Sequence, residues 1–173
     1  APEPIGHFYR VDQDLRIEQL ALPPATVANS IAFSPDGRAM YYTDSPTRII
    51  FRVDYRADGT LGEPQPFVRL GKDEGFADGS TVDAEGGLWN AQWRGSRVVR
   101  YDASGAATHR IDLPASQLTC PAFGGAALDR LFVTSARIGL DEETLRREPA
   151  AGGVFELDAD ARGLPEARFT LRA

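Results

Sequence analysis

Sulfur, imidazole and indole are all scarce in this 173-residue chain, which holds one Cys, one Met, two His and two Trp. A lone Cys120 excludes an internal disulfide and a thiolate zinc cluster. Beside Pro121 on an apolar run, it reads as a small buried hydrophobe rather than a nucleophile. His7 and His109 share no ligand spacing and read as surface strand residues. Positive charge is in deficit, 19 Lys and Arg against 25 Asp and Glu, for a net charge of −6. Such a chain is not drawn to nucleic acid or an anionic membrane by its net field, so neither is an expected partner. No apolar run approaches the roughly 18 residues of a membrane helix, and no signal-like series opens the chain. The expectation is a soluble, cytoplasmic protein. Also missing are a Gly-x-Ser-x-Gly elbow, a phosphate-binding loop and a His-Glu-x-x-His run. The opening Ala1-Pro-Glu-Pro-Ile-Gly6 has no initiator Met and reads as a loop within a longer sequence.

What the chain does have is many short β-patterned runs separated by turns with a mechanism. In Pro35-Asp36-Gly37 the proline presets φ, the aspartate bonds its own backbone and the glycine accepts positive φ. Strands are predicted at 7–12 and 17–22, then at 31–34, 40–44, 49–54 and 66–70. A second set follows at 80–83, 88–92, 98–102 and 107–113, and a third at 121–124, 131–135, 154–158 and 167–171. Ser34-Pro-Asp-Gly37 superimposes on Asp83-Ala-Glu-Gly86 at an offset of 49, and Phe123-Gly124 on Val82-Asp83 at an offset of 41. Four short strands repeating at about 40–50 residues are the signature of β-propeller blades. The predicted organisation is a partial propeller over 1–173: the last strands of one blade at 1–28, then blades at 29–72, 73–116 and 117–173. An insertion at 139–152 carries Asp141-Glu-Glu-Thr-Leu-Arg-Arg-Glu148, acidic first and basic last, which predicts a short capped helix bordering the substrate mouth.

The offsets also single out side chains. Asn29, Asp78 and Thr119 fall in one slot, just before the innermost strand of three consecutive blades. Equivalent inner-strand positions converge on the central channel, so an amide oxygen and a carboxylate meet where a hard divalent cation could sit. Thr119 lines the same mouth. Taken singly, Asn29 and Asp78 are ordinary turn residues, and it is the shared slot that lifts them above that reading. Asp36, Asp58 and Asp83 lie in turns and read as solvated carboxylates. Trp89 and Trp93 read as core between blades, although Trp93 is near a strand end where a pocket could use it.

Several segments, taken as an ordered set, resemble the regucalcin and gluconolactonase family of six-bladed propellers, the sugar-lactone hydrolases. They are Asn29-Ser-Ile-Ala-Phe-Ser-Pro-Asp-Gly37, Tyr42-Thr-Asp44, Gly75-Phe-Ala-Asp-Gly79, Val82-Asp-Ala-Glu-Gly-Gly-Leu-Trp89, Arg97-Val-Val-Arg-Tyr-Asp102, Cys120-Pro-Ala-Phe-Gly-Gly125 and Gly152-Gly-Val-Phe155. The resemblance implies an all-β fold of which this chain covers about the last three and a half blades. It also implies one divalent cation (Ca, Zn, Mg or Mn) bound by Asn29 and Asp78, with Asp78 as catalytic general base. The substrate is then a small sugar lactone, with Thr119 and Trp93 as candidate contacts. Ser30 stands where the family usually has Gly, and Ala77 where it usually has Pro. The family's first blades, which carry a metal-binding Glu and an Arg and an Asn that contact substrate, have no counterpart here. The expected partner is therefore the missing N-terminal half of the propeller or a second copy of the chain. A non-catalytic calcium-binding or protein-interaction propeller is the alternative.

Overall fold

The structure, a computed structural model, describes residues 3–171. The ends Ala1, Pro2, Arg172 and Ala173, which the predicted blade bounds include, lie outside the described residues. The architecture is a series of antiparallel sheets joined in sequence order. A two-stranded sheet pairs β1 (Tyr9–Val11) with β2 (Ile17–Gln19). The next sheet holds β3 (Ala28–Phe33), β4 (Ala39–Asp44), β5 (Ile49–Asp54) and β6 (Gln65–Arg69) in that order. The third holds β7 (Phe76–Val82), β8 (Leu88–Trp93), β9 (Arg97–Tyr101) and β10 (Ala107–Asp112). The last holds β11 (Leu118–Gly124), β12 (Arg130–Ser135) and β13 (Val154–Asp158).

Burial follows from the stacking of these sheets face to face. The second strands β4 and β8 are buried on both faces, as strands between two layers must be, whereas the outermost β10 is nearly all exposed. Met40, Tyr42 and Val53 pack on Phe8, Leu20 and Leu22 of the two-stranded unit. The opposite face of the same sheet, with Ala32, Tyr41 and Ile50, packs on Leu88, Val99 and Tyr101. Trp89, Ala91 and Val98 then meet Leu118, Leu131 and Val133 of the last sheet. Strand β7 lies between β3 and β11, so three first strands run side by side along an inner wall.

One strand did not form. Residues 167–171, predicted as the outer strand of the last sheet, are in no strand, and that sheet has three. After β13 the chain crosses beneath the inner wall instead of returning along it. Gly163 bridges to Asp83, the Ala84 N–H donates to the Arg162 carbonyl at 2.8 Å and the Gly163 N–H to the Leu128 carbonyl at 2.8 Å. A Cβ at Gly163 would lie 2.3 Å from Phe123 Cβ, so only glycine passes this close. Pro165 follows and has no N–H to give a ladder.

Asp83 is also not the solvated turn carboxylate expected. It is fully buried and accepts from the backbone N–H groups of Glu85 (3.0 Å) and Gly87 (2.8 Å), from Trp89 Nε1 (2.8 Å) and from Arg100 Nε (2.6 Å). Burial pushes its pKa up, but these donors, Arg100 foremost, outweigh that and hold it below the usual carboxylate range. Asp36 and Asp58 are the exposed turn residues expected.

Candidate functional site

Each of the three inner strands is bulged at its upper end. The ladder slips between Asn29 and Ala32 in β3, between Ala77 and Ser80 in β7, and between Leu118 and Pro121 in β11. A bulge sets two residues against one and re-aims their side chains. In β3 the cost falls on Ser30, a non-glycine residue at φ 66°. Beneath the bulges lies a small polar knot. The Ser30 and Ser80 hydroxyls share a hydrogen bond of 2.5 Å, and the buried Asn90 amide nitrogen donates to Ser80 Oγ at 3.0 Å and the Gly79 carbonyl at 3.1 Å. These bonds tie β3, β7 and β8 together under the slot that Asn29 and Asp78 occupy.

The two candidates open into one cleft of about 340 Å³, lined by Val27, Asn29, Ser45, Pro46, Phe76, Asp78, Trp93 and Arg94. The amide of Asn29 is oriented by a chain of hydrogen bonds. Ser45 Oγ uses its hydrogen on the Ala77 carbonyl at 2.7 Å, so toward Asn29 it can only accept, and Asn29 Nδ2 donates to it at 3.0 Å. Asn29 Oδ1 has no hydrogen-bond partner among the described residues. Asp78 is half-buried, and loss of water pushes its pKa up to about 6 against the opposing pull of the Gly79 N–H. An amide oxygen and a carboxylate are hard donors that suit a divalent cation, but an oxygen site takes about six, so these two are a partial set. Among the described residues no cluster of three or more His, Cys, Asp or Glu is placed to hold a metal.

The remaining candidates separate. Trp93 is half-buried and lines the cleft, whereas Trp89 is fully buried between sheets. Thr119 is not part of the cleft; its hydroxyl lies 2.6 Å from that of Thr134, within its own sheet. Cys120, expected to be buried, is exposed at the bulged end of β11, although its sulfur lies against Gly79 of β7. His7 is half-buried ahead of β1 with its ring nitrogen 3.0 Å from Gln19 Nε2, and His109 is exposed on β10. The helix α1 (Glu142–Arg147) forms in the insertion, capped by Asp141, which accepts from the Thr144 N–H at 2.8 Å. It contributes nothing to the cleft lining. Val27, Ser45, Pro46, Phe76 and Arg94 are the lining residues that sequence did not single out as site candidates. Ser45 follows the Tyr42-Thr-Asp44 segment directly, and Arg94 directly follows Trp93.

With this geometry in hand, residues 1–137 match the family described as SMP-30/Gluconolactonase/LRE-like region. The chain belongs to that family. Within the SMP-30/gluconolactonase-like family, it is 51% identical over 168 residues to the L-arabinolactonase of Azospirillum brasilense, covering 97% of this chain and 55% of the relative. It is 35% identical over 174 residues to the pentonolactonase of Haloferax volcanii, covering 96% of this chain and 59% of that one. The crystal structure of regucalcin from Agrobacterium tumefaciens, titled a calcium-binding protein, superposes with a TM-score of 0.90 at 37% identity, over 95% of this chain and 56% of that chain. The fold is accordingly that of a β-propeller of this family. The chain spans about half the length of the curated relatives it matches.

Proposed function

We propose that the intact protein hydrolyses a sugar lactone, with Asn29 and Asp78 as two ligands of a divalent cation and Asp78 as the base. The observation that carries this reading is the convergence of these two side chains, from adjacent sheets, on one cleft, with the Asn29 amide oriented and the Asp78 carboxyl raised by burial. The names of the relatives support the substrate class. Asn29 and Asp78 would hold the cation, which would supply Lewis-acid polarisation of the lactone carbonyl and acidification of a water. The chain's own residues do the rest. Asp78, as the carboxylate, accepts a proton from the attacking water. As the water oxygen bonds to the carbonyl carbon, the ring C–O bond breaks and the ring oxygen leaves as a hydroxyl, taking up a proton. The apolar walls, Val27, Pro46, Phe76 and Trp93, exclude bulk water and offer Trp93 as a surface for the sugar ring. The remaining ligands and substrate contacts come from the other half of the propeller or from a second copy of the chain.

The test is hydrolysis of L-arabinono-lactone by the intact protein, with and without chelator. Loss of turnover on chelation, restored by added cation, is the expected result, together with a fall of roughly 10²-fold or more for Asp78→Asn. Cation binding with no hydrolysis of any sugar lactone would favour a non-catalytic cation-binding propeller instead.

A further inference from the structure

Arg94 stands at the mouth of the cleft in a conformation that its residue type does not favour. It follows Trp93 in the turn from β8 to β9, where the Gly95 N–H donates to the Gln92 carbonyl at 3.0 Å, and its φ is 61°. The third position of such a turn is one that Gly or Asn fills without steric conflict. A bulky residue held there is an outlier, and outliers of this kind gather at ligand sites.

The second observation is what its guanidinium does within the chain. Arg48, in the corresponding turn of the previous sheet, is also left-handed, at φ 58°, and its side chain is fully engaged. It donates to the carbonyls of Gly71 and Gly75 and lies 4.0 Å above the Phe76 ring. Arg94 makes no side-chain hydrogen bond or ion pair among the described residues. It is exposed, and among the described residues it is the only cation lining the cleft that holds Asn29 and Asp78. A strained, unengaged, planar cation beside a reaction centre matches one chemical event. Hydrolysis turns a neutral lactone into a carboxylate, and a guanidinium fork is complementary to a carboxylate.

We propose that Arg94 binds the carboxylate of the ring-opened sugar acid at the cleft mouth, an inference that rests on reading the cleft as a lactonase site. Arg94 thereby sets how tightly the product is held and favours lactones whose acids place the carboxylate beside it. The probe is sodium L-arabinonate as a product inhibitor of the intact protein. Arg94→Gly and Arg94→Asn both suit the left-handed turn, so both are expected to fold with melting temperatures at or above the parent's. In each, the inhibition constant for L-arabinonate rises about tenfold, the loss of one charge-assisted contact, while KM for the neutral lactone rises less. Arg94→Lys retains part of the affinity. Inhibition constants that stay put, or that rise only in parallel with KM, overturn the assignment. Should the parent hydrolyse no lactone, the functional reading fails, and calorimetric titration with L-arabinonate decides Arg94 by itself. Binding that weakens in both variants supports it; absent or unchanged binding overturns it.

Discussion

At the scale of single residues, two carboxylates in β7 and its turn show opposite electrostatic outcomes, and the more buried of them is the one whose pKa falls. Asp78 makes no ion pair among the described residues, and burial lifts its folded pKa to about 6, above the ordinary 3.8. Below the ordinary value the group is protonated whether folded or unfolded and costs nothing. As pH rises through 6 the folded state must hold a half-buried charge, and stability is lost. Asp78→Asn is therefore expected to raise the melting temperature of the cation-free intact protein at pH 8 and leave it unchanged at pH 4. Added cation stabilises the parent but not the variant. Proton and cation compete for the same oxygens, so cation affinity falls roughly tenfold per pH unit below about 6; a flat titration from pH 5 to 8 would count against Asp78 as a ligand. Asp83 reverses the sign. Its pKa is held down by Arg100, so its contribution is present above the ordinary carboxylate range and lost as pH falls through its lowered folded value. With side-chain exposures of 1% and 11%, the Asp83–Arg100 pair is buried, and Asp83→Ala leaves Arg100 with only the exposed Glu85, at 3.2 Å, as its carboxylate partner. A loss of about 3–5 kcal/mol in chemical denaturation is expected, with Trp89 fluorescence altered at the same time.

At the scale of elements, strands and turns were legible because the chemistry that makes them is local. An Asp accepting from backbone N–H groups two residues on recurs at Asp36, Asp58, Asp83 and Asp102, and each sits between paired strands. What escaped was decided between strands. Asp83 has the same turn chemistry as Asp36, and only Trp89 and Arg100, arriving from β8 and β9, make it a buried anchor. Residues 167–171 alternate like a strand, but a strand needs a neighbour with a free edge, and the crossing at Gly163 carries the chain away from β13. The slot shared by Asn29 and Asp78 was readable from the repeat, while the Ser45 relay that orients Asn29 was not, since it depends on the bond from Ser45 to the Ala77 carbonyl of the next sheet. The helix α1 was readable from its cap and charge order. It is anchored by Glu148, which accepts from the Ser116 N–H at 2.7 Å and from Ser116 Oγ at 2.8 Å, with Leu145 against the last core. Since α1 lines no part of the cleft, Asp141→Ala is expected to cost about 1 kcal/mol of stability and to leave lactone kinetics unchanged in the intact protein. An altered KM would place the helix at the substrate mouth after all.

At the scale of the whole molecule, the uncovered surfaces lie where a propeller would continue. Strand β3 is clothed by the next sheet on the Ala32 side, but Ile31 and Phe33 remain 52% and 46% exposed, because the two-stranded unit beside them supplies no inner strand. Tyr9, Val11 and Ile17 of that unit are exposed as well, and at the other end Val154 stands open on β13, whose outer edge is unpaired among the described residues. Soluble monomers seldom leave contiguous apolar surface beyond a few hundred Å² uncovered, and an open strand edge templates further pairing. The 173-residue chain produced alone is therefore expected to self-associate, which multi-angle light scattering across a concentration series would register as a mass above that of one chain. Ile31→Lys together with Phe33→Lys removes the largest part of the inner-strand patch without touching the cleft lining, so it should shift that series toward the monomer. The same face also bears on activity. Asn29 opens β3, the strand with no inner neighbour on that side, and an oxygen-ligated cation needs donors that Asn29 and Asp78 alone do not supply. Lactone turnover by the chain alone should accordingly be nearly absent and should appear when the remaining half of the propeller is co-expressed with it. Full turnover by a light-scattering monomer would mean that the arc is sufficient by itself and that the second half is not needed to complete the site.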